Sequence, residues 1–185
     1  FVDGESNRVG LRMGQGKTQF GLESHESSEN RVAESSFTNP AVGMLELPVL
    51  AHEYVHSWNG KYRRPDGLVT PDFQAPMRGD LLWVYEGLTQ YLGHVLTARS
   101  GLWPAERYRD RLAQSAAYYS IQPGRAWRPL ADTAVAAQQL SRASPLWRSD
   151  RRSADYYNEG ALVWLEADML IRHAEEVGGE KRGLV

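Results

Sequence analysis

The chain has 185 residues, of which 42% are hydrophobic and 24% charged, a composition typical of a globular protein with its own core. Its 21 Lys and Arg against 23 Asp and Glu give a formal net charge of -2, so a nucleic acid bound through phosphate contacts is not an expected partner. The absence of cysteine excludes disulfides, thiolate zinc sites and cysteine nucleophiles, and no apolar run approaches the roughly 18 residues of a membrane span.

The first 40 residues are polar and show only weak periodicity. Short strands are predicted around Val9–Met13 and Thr18–Leu22. The pattern then becomes helical, and one helix is predicted from Glu46 to Asn59, with Pro48 tolerated in its first turn. This part of the chain is therefore expected to pass from a small β portion into helices.

The rest of the chain is predicted to be mainly helical. A connector containing proline and glycine covers residues 61–78, and residues 121–152 are expected to be mostly loop. The predicted helices run from an Asp80 N-cap to about Arg99, from near Pro104 to about Ser120, over Asp132–Leu140, and from about Ala154 to Val177. The fold class expected from this pattern is mainly α in one domain over residues 1–185.

Both ends of the sequence have the character of cuts within a longer protein. Phe1 begins without a lead-in, and residues 180–185 stop just after the helix-ending Gly178-Gly179. We therefore expect the chain to be a piece of a larger protein.

The first predicted helix contains the segment His52-Glu53-Tyr54-Val55-His56. Histidines at positions i and i+4 lie one above the other on a helix, so His52 and His56 can both bind one metal ion. Glu53 is offset by about 100° around the helix axis, where it can take a proton from water activated by the metal without being a ligand. The alternative interpretation is two core or surface histidines on an ordinary helix.

A catalytic zinc takes three protein ligands and keeps one position open. The next histidine after His56 is His94, which is too distant in sequence to continue the motif, whereas Glu86 is a carboxylate inside an otherwise apolar helix. Burial of an unpaired carboxylate is costly, and a metal ion would remove that cost. Glu86 is therefore the candidate third ligand, with an exposed glutamate or one paired with arginine as the alternative.

These segments resemble the glycyl aminopeptidases, gluzincin metallopeptidases with a thermolysin-like catalytic domain. His52 to Asn59, followed by Lys61 and Arg64-Pro65, is similar to their zinc helix. Three further segments match in family order: Phe20 to Glu23 resembles the segment that binds the substrate amine, Leu82 to Thr89 the third-ligand helix, and Tyr156 to Leu162 the tyrosine segment.

The resemblance assigns two roles that spacing alone does not. Tyr157 matches the tyrosine whose hydroxyl points at the developing oxyanion, with Tyr156 as the fallback if the alignment slips by one residue. Glu23 matches the glutamate that binds the free α-amine of a substrate, which makes an exopeptidase. The family usually has histidine directly after this glutamate, whereas here Ser24 precedes His25.

The other histidines and the arginine-rich stretches have simpler interpretations. His94 is expected in the core or beside the metal ligands, and His173 near a helix C-terminus, where positive charge is favourable. His25 either touches substrate or caps a loop. Arg107 to Arg111 and Arg148 to Arg152 are expected to lie on solvated faces.

The function expected from this sequence is zinc-dependent hydrolysis of the N-terminal peptide bond of a peptide with a free amine. The resemblance implies a preference for glycine or alanine, and it implies an N-terminal β-rich domain and a C-terminal PDZ-like domain that this chain lacks. It also implies export to the bacterial periplasm or medium. Two alternatives are a zinc endopeptidase of the same fold and a zinc-stabilised module that binds peptides without cutting them.

Overall fold

The computed structural model describes residues 8–14, 19–140 and 146–178, with the backbone alone for residues 138 and 140. Two short 3-10 helices cover Glu34–Phe37 and Pro123–Ala126. The strands and α-helices are β1 (Arg8–Gly14), β2 (Phe20–Glu23), β3 (Ser27–Ala33), α1 (Pro40–Glu46), α2 (Pro48–Val55), α3 (Leu82–Arg99), α4 (Ala105–Ser120), α5 (Leu130–Leu140), α6 (Arg148–Arg151) and α7 (Asp155–Gly178). The expected fold, mainly α with a small N-terminal β portion, is confirmed.

The described residues form two compact units. The first comprises residues from the ranges 1–64 and 92–111, and the second comprises residues from 65–91 and 112–185. Both α3 and α4 contribute residues to each unit. Within the described residues, no helix has the length and apolar character needed to cross a bilayer.

The sheet belongs to the first unit and has the strand order β1-β3-β2. The central strand β3 pairs in parallel with β1 and antiparallel with β2, with Arg8 opposite Ser27 and Phe20 opposite Arg31. The two outer strands agree with the predicted ones, although Thr18 lies outside the described residues.

The sequence analysis missed the central strand. The buried face of β3 carries Ser28, Asn30 and Val32, so two of its three inward side chains are polar. Asn30 Nδ2 donates to Ser28 Oγ at 2.9 Å, which partly satisfies these buried groups. Because the inward positions are polar, the alternation of apolar and polar residues that marks a strand is absent from the sequence.

The single helix predicted over Glu46 to Asn59 is wrong in its bounds. α1 ends at Glu46, and α2 starts at Pro48, which lacks the N–H needed to continue a helix but fits a first turn. α2 ends at Val55, and His56 is its C-cap. Beyond it the amide of Asn59 donates to Val55 O and that of Lys61 to His56 O, which turns the chain sharply.

In the second unit the start of α3 packs closely on α7. A Cβ added to Gly160 would lie 2.9 Å from Gly87 Cα, so the two helix backbones touch at this point. Trp164 Nε1 donates to Val84 O at 3.2 Å, and Tyr91 OH donates to Asp168 at 2.7 Å. These contacts fix the register of α7 along the first half of α3.

The expectation of a solvated face at Arg148 to Arg152 is wrong for its last residue. Arg152 is 6% exposed and forms ion pairs with Asp155 and Glu159 of α7. Glu159 also accepts from Arg125 Nε at 2.7 Å. Arg152 lies at φ 61°, in the left-handed region, so these ion pairs hold an unfavourable backbone angle.

Candidate active site

Two imidazoles of the first unit face the same point. His52 is in the last turn of α2 and His56 is its C-cap, and their Nε2 atoms are 3.2 Å apart. His56 Nδ1 lies 3.0 Å from Asn59 O, so this ring nitrogen carries the proton and donates to the carbonyl. The lone pair of His56 is therefore on Nε2, the arrangement usual for a metal-ligating histidine held by a backbone carbonyl.

The donor chemistry of this pair fits zinc. Zinc prefers neutral imidazole nitrogens, and His56 is held in the required tautomer. His56 is only 2% exposed, so its ring is shielded from bulk water. The turn at residues 56–61, which shortened α2, is the same turn that supplies the Asn59 carbonyl.

Glu53 lies directly against strand β2. Its side chain is buried, with 6% exposure, and a Cβ added to Gly21 would lie 2.6 Å from Glu53 Cγ and closer still to the carboxylate. A side chain at this position would therefore displace the Glu53 carboxylate. Gly21 was missed in the sequence analysis, although a glycine within a predicted strand is a recognisable sign of a close approach.

Glu23 lies on the same strand, two residues after Gly21, and therefore on the same face of the sheet. The ligand atoms of Glu23, Glu53 and His56 all lie within 4.8 Å of one another, a grouping of histidine and carboxylate atoms able to hold a metal ion. The first unit thus brings together four of the predicted site residues, the fourth being His52.

Lys61 places a positive charge beside this group. Its Nζ lies 3.4 Å from Glu23 Oε1, with 16% exposure of the lysine side chain and 22% of the glutamate. The sequence analysis named Lys61 only as part of a motif, and nothing in the spacing of the two residues predicted this ion pair.

The end of α3 that belongs to the first unit packs against His52. A Cβ added to Gly93 would lie 3.1 Å from His52 Cα, so α3 approaches the backbone of α2 at the first histidine. The neighbouring His94 is 5% exposed and packs against Trp103, with the two ring centroids 5.2 Å apart. Burial, with the nearby charge of Arg111 and with His52, lowers the pKa of His94 to about 3, so His94 is neutral in the folded chain.

The other predicted site residues lie in the second unit. Glu86 is on the first half of α3, and Tyr156 and Tyr157 are in the first turn of α7, with ring centroids 4.7 Å apart. Burial and the negative charge of Glu86 raise the pKa of Tyr156, and a hydrogen bond with Tyr157 acts in the opposite direction. The carboxylate and the tyrosine pair are therefore electrostatic neighbours.

Comparison with known proteins gives one family and one fold. A sequence model of the M61 glycyl aminopeptidase family matches residues 46–163, which include all the predicted site residues except Glu23. No curated protein matches the chain. The crystal structure of an aminopeptidase N family protein from Idiomarina loihiensis has a TM-score of 0.79 and 22% sequence identity, with 95% of this chain and 30% of that chain covered. At this identity the likeness shows the fold, and the chain spans less than a third of that protein.

Proposed function

The chain belongs to the M61 glycyl aminopeptidase family, and we propose that it is a zinc-dependent aminopeptidase that removes a small N-terminal residue, glycine or alanine, from peptides. The observation that carries the proposal is the grouping of the two imidazoles with Glu53 and Glu23 in the first unit. In this proposal residues 1–185 form the thermolysin-like catalytic domain.

The proposed zinc ligands are His52, His56 and Glu86. Glu86 precedes Gly93 by seven residues, and seven residues of a helix make about two turns, so both lie on the same face of α3. Gly93 is the residue at which α3 approaches His52. Zinc bound by these ligands would supply Lewis-acid chemistry, since it lowers the pKa of water to about 7 and polarises a peptide carbonyl.

Glu53 is the proposed general base. Its buried carboxylate accepts the proton of the attacking water and then returns it to the leaving amine. Tyr157 is proposed to donate a hydrogen bond from its hydroxyl to the carbonyl oxygen as negative charge develops there, because a phenol binds that charge more strongly than it binds the neutral carbonyl of the ground state.

Glu23 is the proposed anchor for the α-ammonium of the substrate. A carboxylate beside the base pairs with the substrate N-terminus, which places the first peptide bond, rather than an internal one, at Glu53. This grouping favours an aminopeptidase over an endopeptidase, because an internal segment of a peptide has no ammonium to offer.

The test compares zinc content and turnover. The zinc-loaded chain should hold one zinc and hydrolyse glycyl- and alanyl-anilides in a chelator-sensitive reaction, whereas an N-acetylated anilide should not be cleaved. Glu53→Gln should keep its zinc and lose turnover by about 10²–10⁴-fold. Glu86→Gln should lose zinc affinity as well.

Three results would contradict the proposal. Equal turnover in Glu53→Gln would remove the general base from the mechanism. Cleavage of the acetylated substrate would assign an endopeptidase. One zinc per chain without any cleavage would favour a module that binds peptides without cutting them.

A further inference from the structure

We propose that Lys61 is a positioning residue for the substrate amine: it holds the Glu23 carboxylate in the orientation that accepts the α-ammonium of a peptide. This inference rests on the proposed function, since it gives Glu23 its role as the amine anchor. Lys61 itself is not proposed to touch the reacting atoms.

The backbone of Lys61 is anchored beside the candidate metal ligand. Its amide donates to His56 O at 2.9 Å, in the turn that follows α2. From this anchor the side chain reaches Glu23 Oε1 at 3.4 Å on strand β2. Lys61 therefore connects the turn after α2 to the strand that carries the amine anchor, and both of its ends are held.

Charge within the group gives such a cation a role. Glu23 and Glu53 have ligand atoms within 4.8 Å of each other, and two carboxylates this close repel each other. Most of the Lys61 side chain is shielded from water, so its attraction to Glu23 is weakened less by solvent than that of a surface pair. Without Lys61, the repulsion would turn Glu23 away from Glu53.

The ion pair with Lys61 leaves the Glu23 carboxylate able to accept further hydrogen bonds. Two carboxylate oxygens offer about four lone-pair sites, so Glu23 can accept from Lys61 and from a second ammonium together. The opposite hypothesis is that Lys61 competes with substrate for Glu23. The two hypotheses predict opposite effects of removing the lysine, since loss of a positioning residue weakens amine binding and loss of a competitor strengthens it.

The test measures binding of alaninamide, a small primary ammonium, to the zinc-loaded chain by calorimetry. Lys61→Met should weaken binding about tenfold or more, and Lys61→Arg should keep affinity within about threefold of the unmodified chain because it retains the charge. Arg63→Met is the matched control. It removes a cation two residues away on the same turn, where the exposed guanidinium lies 5.9 Å from the Tyr62 ring centroid, and it should leave affinity unchanged.

Kinetics provide a second measurement. With alanyl-anilide, Lys61→Met should raise KM about tenfold while kcat stays within about threefold, because the base and the metal ligands are untouched. Equal or tighter alaninamide binding in Lys61→Met would overturn the proposal, as would equal weakening in Arg63→Met. A Lys61→Met chain that no longer folds, together with an Lys61→Arg chain that binds alaninamide poorly, would also overturn it.

The binding and kinetic measurements distinguish failure of this inference from failure of the proposed function. If the unmodified chain binds alaninamide, Lys61→Met weakens that binding and neither chain cleaves an anilide, the proposed function fails and the role of Lys61 stands. If the chain cleaves anilides and Lys61→Met has the KM of the unmodified chain, the proposed function stands and the role of Lys61 fails. An unmodified chain that does not bind alaninamide overturns the inference.

Discussion

At the scale of single residues, the candidate site depends on how closely strand β2 approaches α2. Gly21 leaves room for the Glu53 side chain, and Glu23, on the same face of the strand, lies beside it. Glu53 is buried, so the surrounding atoms restrict the positions that its carboxylate can adopt. The position of the proposed base is therefore set by a residue that has no side chain.

This close approach predicts the effect of Gly21→Ala. The added methyl group would occupy the space of the Glu53 carboxylate and displace it, whereas the imidazoles on α2 would stay in place. We expect zinc content to be unchanged and kcat with glycyl-anilide to fall about 100-fold. Elemental analysis and steady-state kinetics measure the two quantities.

Gly10→Ala is the matched control on strand β1. A Cβ there would lie 3.2 Å from Ser28 O and 3.8 Å from Glu29 Cα, and neither residue belongs to the candidate site. We expect its kcat to stay close to that of the unmodified chain. Equal kcat values in the two variants would mean that Gly21 does not position the base.

At the scale of elements, proline and glycine decide where helices stop and how closely they pack. Pro48 separates α1 from α2, and the turn after Val55 gives His56 its partner, the Asn59 carbonyl. In the second unit, Gly87 of α3 and Gly160 of α7 let two helix backbones touch. The points where helices stop or pack closely thus determine where their functional side chains lie.

The helix contact predicts that Gly160→Ala destabilises the chain. The new Cβ would lie 2.9 Å from Gly87 Cα and 3.2 Å from Trp83 O, both backbone atoms that cannot rotate away. We expect the free energy of unfolding to fall by about 1–3 kcal/mol, despite the higher helix propensity of alanine. Chemical denaturation measures this change.

Gly178→Ala serves as the comparison at the end of the same helix. A Cβ at Gly178 meets nothing within 4 Å, so the free energy of unfolding should change by less than about 0.5 kcal/mol. If both variants were equally stable, the α3–α7 contact would not be as close as described.

At the scale of the whole molecule, the chain is a member of a peptidase family. It shares the fold of the Idiomarina loihiensis protein over 30% of that protein's length. Its stability depends on polar groups buried in both units. Asp168 accepts from Tyr91 and Arg172 in the second unit, and His94 is buried in the first. Buried groups of this kind make stability sensitive to pH.

The burial of His94 predicts a loss of stability in acid. Its pKa of about 3 in the folded chain lies below its ordinary value of 6.5, so below pH 6.5 the unfolded chain binds a proton that the folded chain does not. Above pH 6.5 this difference in the pKa of His94 has no effect on stability. As the pH falls from 6.5 towards 3, it lowers the free energy of unfolding by about 1.4 kcal/mol per pH unit. Denaturation of the metal-free chain between pH 7 and 4 measures the slope.

A matched pair of variants isolates this histidine. His94→Gln should reduce the slope of unfolding free energy against pH, whatever its effect on stability at pH 7. His25→Gln, on an exposed residue, should leave the slope unchanged. The same slope in all three chains would show that His94 does not resist protonation in the fold.

Much of the fold and of the candidate site was predictable from the sequence. The bounds of α3, α4, α5 and α7 lie within two residues of their predicted ends, because proline, glycine and apolar periodicity act locally. The pairing of His52 with His56 was likewise predictable, since helical spacing alone brings residues i and i+4 together. The family followed from short motifs whose order along the chain is a property of sequence.

Only the tertiary structure decided what depends on contacts between distant segments. The strand β3 has polar inward residues, and its pairing with β1 and β2 is what makes it a strand. The contacts of Gly21 with Glu53 and of Lys61 with Glu23 join residues that no local pattern relates. Spacing along one helix determines which side chains share a face. The partner of a side chain on another element is set by packing, because the steric and electrostatic fit of several elements must be satisfied together.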